Sequence, residues 1–429
     1  MAAVCSSPDK IHRRNVLLAY ASTWFGCFTD VMIDSSAIII IYLNLLNAAN
    51  SVIMFSTAIS GLAAIPLLIP ASPLVNRFGA KRVVTASCIL STCGFLTIAS
   101  AAFVPSCASI ISLAGIIIYS VSRPLWSTSW YPILADILRP EERGSFFGKM
   151  RFSYNIISGS VFYVVGLLMG KTPPAWLLQI VIAAAGLLVI GRHFCIANLK
   201  LKDEKTVSFD LKKSFNISIK NAPLVGFSVY SCFLSLAYTA IIPLALIYMK
   251  KGLNLNADTV QTISTAGIAG SIVAFVIYGK IQKKFGMRNT QLAVHLMTII
   301  VPIGFIMCRA NTPFLTAALG VLLFLAYCNH ALFTCCFSHE CLSLSRPGNA
   351  AMASAFANTY NNIGIAVGRT VNSLLLGHGI LNSSWSWNGF VMNEFQSLFL
   401  FCAVGALFCG LLLFILPSVI PQHDDYYKP

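Results

Sequence analysis

The chain has 429 residues, 57% of them hydrophobic and only 10% charged, with a formal net charge of +15. Residues 35–76 and 83–122 contain no Asp, Glu, Lys or Arg, and each tract holds about 40 residues, enough for roughly two bilayer crossings. A soluble core cannot absorb such runs, so the composition excludes a soluble enzyme and predicts a polytopic all-α membrane protein.

The start, MAAVCSSPDKIHRR, is polar and runs into a long apolar stretch with no small-residue cleavage site, which predicts a cytosolic tail and a retained first helix. Apolar spans follow at 16–47, 50–71, 83–104, 108–138, 146–170 and 174–198, then at 222–249, 258–279, 290–309, 313–343, 350–378 and 394–417. They predict twelve helices, six in residues 1–198 and six in 222–429, with both termini on one side. If that side is cytosolic, twenty-three Lys and Arg, Arg192 among them, fall on inside segments. Only Lys171, Lys250, Lys251 and Arg309 fall outside. This positive-inside bias places the chain in a cell membrane with cytosolic termini. It also explains the net charge without nucleic acid.

The polar segment 199–221 joins the halves. Phe209, Phe215, Ile217 and Ile219 lie among its lysines, the pattern of a tether resting on the inner membrane surface. Asn382 opens a glycosylation triplet on the outer side. Fourteen cysteines are scattered through apolar runs without a C-x-x-C pair, so they read as packing residues, with neither metal spacing nor a disulfide framework. No P-loop or catalytic constellation is visible. No cofactor and no enzymatic activity are expected.

One stretch occurs twice. SPLVNRFGAKR at 72–82 and GKIQKKFGMRN at 279–289 align with an offset of 207, and Arg139-Pro140 meets Arg346-Pro347 at the same offset. A shared offset of half the chain marks two homologous halves. With its basic, glycine-containing loop after the second helix of each half, the chain resembles the major facilitator superfamily, whose signature there is close to G-x-L-A-D-R-x-G-R-K-R. Leu74, Arg77, Gly79, Lys81 and Arg82 match it, as do Gly279, Lys284, Gly286 and Arg288 in the second copy. ADILRPEERG, which contains Asp136, is similar to another cytosolic loop of that family. The family's leading Gly is Ser72 here and its Asp is Asn76. Asn76 can still accept a helix N–H but brings no charge to the latch that this carboxylate implies in the family. Asp136 opposite Arg77 or Arg82 is a candidate replacement.

The resemblance implies a monomeric rocker-switch transporter of a small-molecule solute, bound at mid-membrane between the first and fourth helices of each half. Charges there are costly and mark a pathway or a pair. Asp30 and Asp34 lie four apart on one face of the first span. Arg123 lies in the fourth span, and the repeat offset carries it to His330 in the tenth. Two readings stand. Either Arg123 neutralises Asp30 or Asp34, or Arg123 and His330 hold a polar or anionic solute while the carboxylates carry the coupling ion. Trp126, Trp130 and Tyr327 share those helix faces and are candidates to stack on the solute. Arg369 is expected to snorkel outward as a structural residue.

Two carboxylates one turn apart in a dry site cannot both stay ionised cheaply, so the pair is expected to hold one proton. Na⁺ is the alternative coupling cation. The function expected is proton-coupled secondary transport of a small polar or anionic solute. Its rivals are Na⁺ symport, export of amphiphilic compounds, and a non-transporting receptor or structural role.

Overall fold

The computed structural model describes residues 8–139, 142–201, 211–346, 349–377, 381, 384–387 and 390–415. Its helices, in chain order, are α1 (Pro8–Asp34), α2 (Ile38–Leu45), α3 (Asn50–Phe78), α4 (Ala80–Ser100), α5 (Ala108–Ile137), α6 (Arg143–Met169) and α7 (Ala175–Ala197). There follow α8 (Leu211–Ile219), α9 (Ala222–Tyr238), α10 (Ile241–Ile247), α11 (Ala257–Met307), α12 (Leu315–Ser343), α13 (Ala350–Gly377) and α14 (Glu394–Ile415). A short antiparallel hairpin, β1 (Trp385–Trp387) and β2 (Phe390–Met392), precedes α14. Among the described residues ten helices are long and apolar enough to cross a membrane. α11 is one of the ten, although its 51 residues suffice for two crossings, and α13 is not among them.

The helix ends follow local chemistry. Gly79 ends α3 at φ 84°, and Gly286, its counterpart in the repeat, turns α11 at φ 75°. Both conformations suit only glycine. The non-helical backbone at Gly286 divides α11 into two helical segments, which contain the spans expected at 258–279 and 290–309. Asn393 caps α14 by accepting from the Gln396 N–H, while the Gln396 side chain accepts from the Asn393 N–H, a reciprocal capping box.

Two expected spans are broken. The first stops at Asp34 and resumes at Ile38; the seventh stops at Tyr238 and resumes at Ile241. No Gly or Pro marks the first break, so periodicity runs straight through it; the second has Pro243 four residues after Thr239, and its missing N–H leaves the Thr239 carbonyl without its helical donor. Freed carbonyls inside a membrane must find donors, because an unsatisfied group there costs several kcal/mol. The Ser35 carbonyl accepts from the Ser264 hydroxyl at 3.2 Å and from the Tyr327 hydroxyl. The Thr239 carbonyl accepts from Arg369 Nε at 3.2 Å.

Small residues set the tightest contacts. Gly94 on α4 faces Gly115 on α5, and a Cβ on either would lie within 2.7 Å of the other's carbonyl oxygen. Gly364 and Gly368, four apart on α13, press on the backbone of α9 at Cys232 and Leu236. This is the small-x-x-x-small contact that lets membrane helices meet closely.

The first and second halves of the sequence meet along two antiparallel seams. On one, α3 and α13 touch through Ser51 with Ser373, Thr57 with Arg369, and Gly61 with Ala366. On the other, α6 and α11 touch through the Gly170 carbonyl with the Asp258 N–H and through Gln261 with the Phe162 carbonyl. α2 and α10 are apolar and buried all round, and they close the end of the molecule away from Gly79 and Gly286.

α8 docks on the second half. Phe215 packs edge-on against Phe356, and Asn349 donates to the Ser214 carbonyl and the Ser218 hydroxyl. Residues 202–210 of the expected tether, and Asn382 and Ser383 of the glycosylation triplet, lie outside the described residues.

The glycine contacts make a direct prediction. Gly368→Ala would put a Cβ 2.2 Å from the Leu236 carbonyl oxygen, where neither backbone can yield. It is expected to lower stability by about 3 kcal/mol, at the upper end of overpacking costs. Gly279→Ala, with nothing within 4 Å, should stay within about 0.5 kcal/mol of wild type. Thermal melts of the purified proteins in detergent compare the two.

Candidate functional site

The break after α1 is the centre of the site, because it places Asp34 beside unwound backbone. Arg123 on α5 donates from Nη1 and Nη2 to the two carboxylate oxygens of Asp34, at 2.8 and 2.6 Å. A planar guanidinium against a planar carboxylate gives the strongest common ion-pair geometry. The side chains are 34% and 35% exposed, so the pair is reached by solvent. The end beyond it is closed by α2, α10 and the hydrogen bonds to Ser35.

One turn earlier, Asp30 accepts from the Tyr119 hydroxyl at 2.7 Å and from Arg192 Nη2 at 3.0 Å. Arg192, expected on an inside segment, lies instead within α7 with its side chain 7% exposed. It is a second intramembrane cation, and its position near the end of an apolar span disguises it. Its guanidinium rests 4.1 Å over the Trp126 ring, and its Nε donates to the Ser22 carbonyl. It also lies flat on Gly26, where a Cβ would fall 1.5 Å from Nη2. Gly26, one turn before Asp30, is the sequence trace that this arginine leaves.

Arg369 also departs from expectation. It does not snorkel outward: Nε holds the Thr239 carbonyl and Nη1 the Thr57 carbonyl at 2.7 Å. With Asp34 it borders a small cavity of about 20 Å³, room for one water. Among the described residues Arg369 forms no ion pair.

The other expected residues separate. His330 is hydrogen-bonded through Nδ1 to the Tyr238 hydroxyl at 3.0 Å, beside the break in the seventh span. It shares no hydrogen bond with Arg123 among the described residues. Trp126 stacks on Trp130 at 4.8 Å, and Trp130 itself is 6% exposed within a core that includes Ile133 and Phe146. Tyr327 is buried against Gly267, with its hydroxyl on Ser35 across the two halves.

In the basic loops, Lys81 caps the last turn of α7 by donating to the Ala197 and Leu199 carbonyls, as a cation at a helix C-terminus does. Arg77 and Lys284 lie over the neighbouring rings of Phe78 and Phe285. Asp136 is half-buried near the end of α5, Arg82 and Arg288 are exposed, and the side chain of Asn76 lies outside the described residues.

A helical membrane fold in two halves with broken helices around central charges is the architecture of a solute transporter. Residues 18–368 match the Major Facilitator Superfamily, and the chain belongs to that family. No curated protein matches the sequence. Among solved structures, the nucleoside transporter NupG is 18% identical with a TM-score of 0.65, the match covering 96% of this chain and 100% of that one. A D-xylose-proton symporter is 13% identical with a TM-score of 0.74, covering 95% and 98%. A bacterial homologue of the iron transporter ferroportin, in its inward-facing state, is 12% identical with a TM-score of 0.69, covering 96% and 100%.

Gly26 provides a test of the Asp30–Arg192 pair. Gly26→Ala must push the guanidinium off Asp30, so it should destabilise the protein by about 1–3 kcal/mol, as Arg192→Gln should. In an Arg192→Gln background the same substitution should cost under about 0.5 kcal/mol, since nothing remains to displace. Melting temperatures of the four proteins close the cycle.

Proposed function

We propose that the protein is a secondary active transporter that moves a small polar or anionic solute by alternating access, coupled to protons through Asp34. The observation that carries this reading is the Asp34–Arg123 pair, a third exposed, at a helix break. Twelve crossings are assigned, in a first half at 1–198 and a second at 222–429 joined by 199–221. The termini and the basic loops are assigned to the cytosol.

The chemistry follows from the cost of uncompensated ions in lipid. With the site empty, Asp34 and Arg123 neutralise each other, so the unloaded carrier can close and reopen without burying a bare charge. A proton on Asp34 removes the negative partner and frees the guanidinium fork for a solute. Release inside discharges both, and the pair re-forms. Asp30 keeps Arg192 and Tyr119 throughout and holds α1 against α5 and α7. Protons are favoured over Na⁺ because all four oxygens of Asp30 and Asp34 already accept from Arg123, Arg192 or Tyr119. A metal ion would have to displace these donors.

A solute is first selected as the member of a metabolite pool that raises the melting temperature of the purified protein. Its uptake is then measured in proteoliposomes with pH and Na⁺ gradients imposed separately. Wild type should accumulate it under the pH gradient alone. Asp34→Asn should lose accumulation but keep solute counterflow, which needs no net proton movement. If Asp34→Asn still concentrates solute against its gradient, coupling does not run through this carboxylate. A second outcome concerns the fork. Arg123→Lys should weaken solute binding by about tenfold or more, because a point charge cannot reproduce bidentate contact. Unchanged affinity would make Arg123 only the structural partner of Asp34.

A further inference from the structure

α8 carries two unlike stripes. Ser214, Phe215 and Ser218 face the second half of the sequence, where they meet Asn349 and Phe356. Lys212, Lys213, Asn216, Ile217 and Lys220 recur at i, i+1, i+4, i+5 and i+8, the spacing of the opposite face. Together with Arg346, from the segment that follows α12, they line an open groove of about 410 Å³. Hydrogen bonds hold the two walls at a fixed spacing: Asn221 donates to the Leu344 carbonyl at 2.7 Å, and Asn349 to the Ser218 hydroxyl at 3.0 Å. Four cations therefore share one groove, and no carboxylate lines it among the described residues. Like charges gathered in a concave site raise the local concentration of anions.

The depth of the groove identifies the anion. Lys220 lies two residues before the apolar span that begins at Ala222, and Arg346 lies five residues after the one that ends at Cys341. Lipid headgroups form the layer directly outside the hydrocarbon, so the groove opens at their level. Ile217 within it, and Ile219 beside it at 49% exposure, suit the boundary with acyl chains. A soluble anion would gain nothing from these apolar groups.

We propose that this groove binds the headgroup of an anionic phospholipid that carries two or more phosphates. A single phosphodiester would offset one of the four cations. Two phosphates let Arg346 take one in its planar fork while the lysines hold the other. The bound lipid bridges α8 to the segment after α12, and so fastens the linker to the second half. The site is separate from Asp34 and Arg123 and does not depend on the transporter reading.

The test uses the purified full-length protein in a non-ionic detergent and four probes: cardiolipin, phosphatidylinositol 4,5-bisphosphate, phosphatidylglycerol and inorganic pyrophosphate. Bound lipid is counted by native mass spectrometry, and the melting temperature is followed in parallel. At matched total charge, at least one of the two multi-phosphate lipids should bind about tenfold or more tightly than phosphatidylglycerol, at one copy per chain, and raise the melting temperature. In Lys212→Gln/Lys220→Gln/Arg346→Gln that ratio should fall towards one. Lys10→Gln/Arg13→Gln/Arg14→Gln removes the same charge from exposed positions on α1, outside the groove, and should keep the ratio. Equal binding of the three lipids by wild type overturns the inference without any variant. So does a preference that survives the groove substitutions, or one lost as fully in the α1 control. Pyrophosphate binding as tight as that of lipid would assign the groove to a soluble anion and reject the lipid.

Discussion

The bidentate pair between Asp34 and Arg123 is the interaction on which the rest of the site depends. Asp34 is the last residue of α1, so the carboxylate sits where the helix stops and the backbone turns away. An ion pair in lipid has to meet two demands that pull apart. It must be tight enough to offset desolvation, and open enough to be broken by a ligand or a proton. The fork geometry meets the first demand and the one-third exposure meets the second. The Asp30–Arg192 pair one turn away resolves the same tension differently. Its carboxylate is as exposed as that of Asp34, but its arginine is nearly fully buried, stacked on Trp126 and seated on Gly26, which fixes the guanidinium in place.

Around these pairs, the breaks after Asp34 and after Tyr238 are both answered from other helices. The Ser35 carbonyl is held by Ser264 and Tyr327 from the second half of the sequence, and the Thr239 carbonyl by Arg369, which also reaches α3. The groups that satisfy the broken backbone therefore also join the halves. Any rocking of one half against the other must exchange these hydrogen bonds for new ones or for water.

What is legible in the sequence is whatever repeats or is spaced by a helical turn. The offset of 207 identifies Gly79 and Gly286, and both have the same left-handed φ because both turn the chain at the end of a span. The four-residue spacing identifies Asp30 and Asp34, and the absence of neighbouring charges identifies Arg123. Arg192 is hidden by position: close to Lys200 and to the linker, it reads as one more inside cation. Its partners Asp30 and Trp126 are distant in sequence, and only Gly26 hints at it. Arg369 misleads because a lone arginine near a span end usually reaches for the interface, whereas this one finds two carbonyls inside. The first helix break leaves no sign, since it is stabilised by partners from other helices, whereas the second is marked by Pro243, which removes the N–H that would bond the Thr239 carbonyl. Arg123 and His330 correspond in the repeat yet have different partners, Asp34 for one and Tyr238 for the other. Symmetry of position does not carry symmetry of contact.

The most direct measurement on the central pair is a double-mutant cycle through Asp34→Asn, Arg123→Gln and the two together, read in melting temperature and in solute counterflow. If the pair is the element that neutralises the empty carrier, each single variant strands a charge. The double variant should then be more stable than the sum of the singles by about 1–3 kcal/mol, and its counterflow should be no slower than that of the weaker single variant. Additive costs within about 0.5 kcal/mol would contradict this, because they would mean that Asp34 and Arg123 act independently.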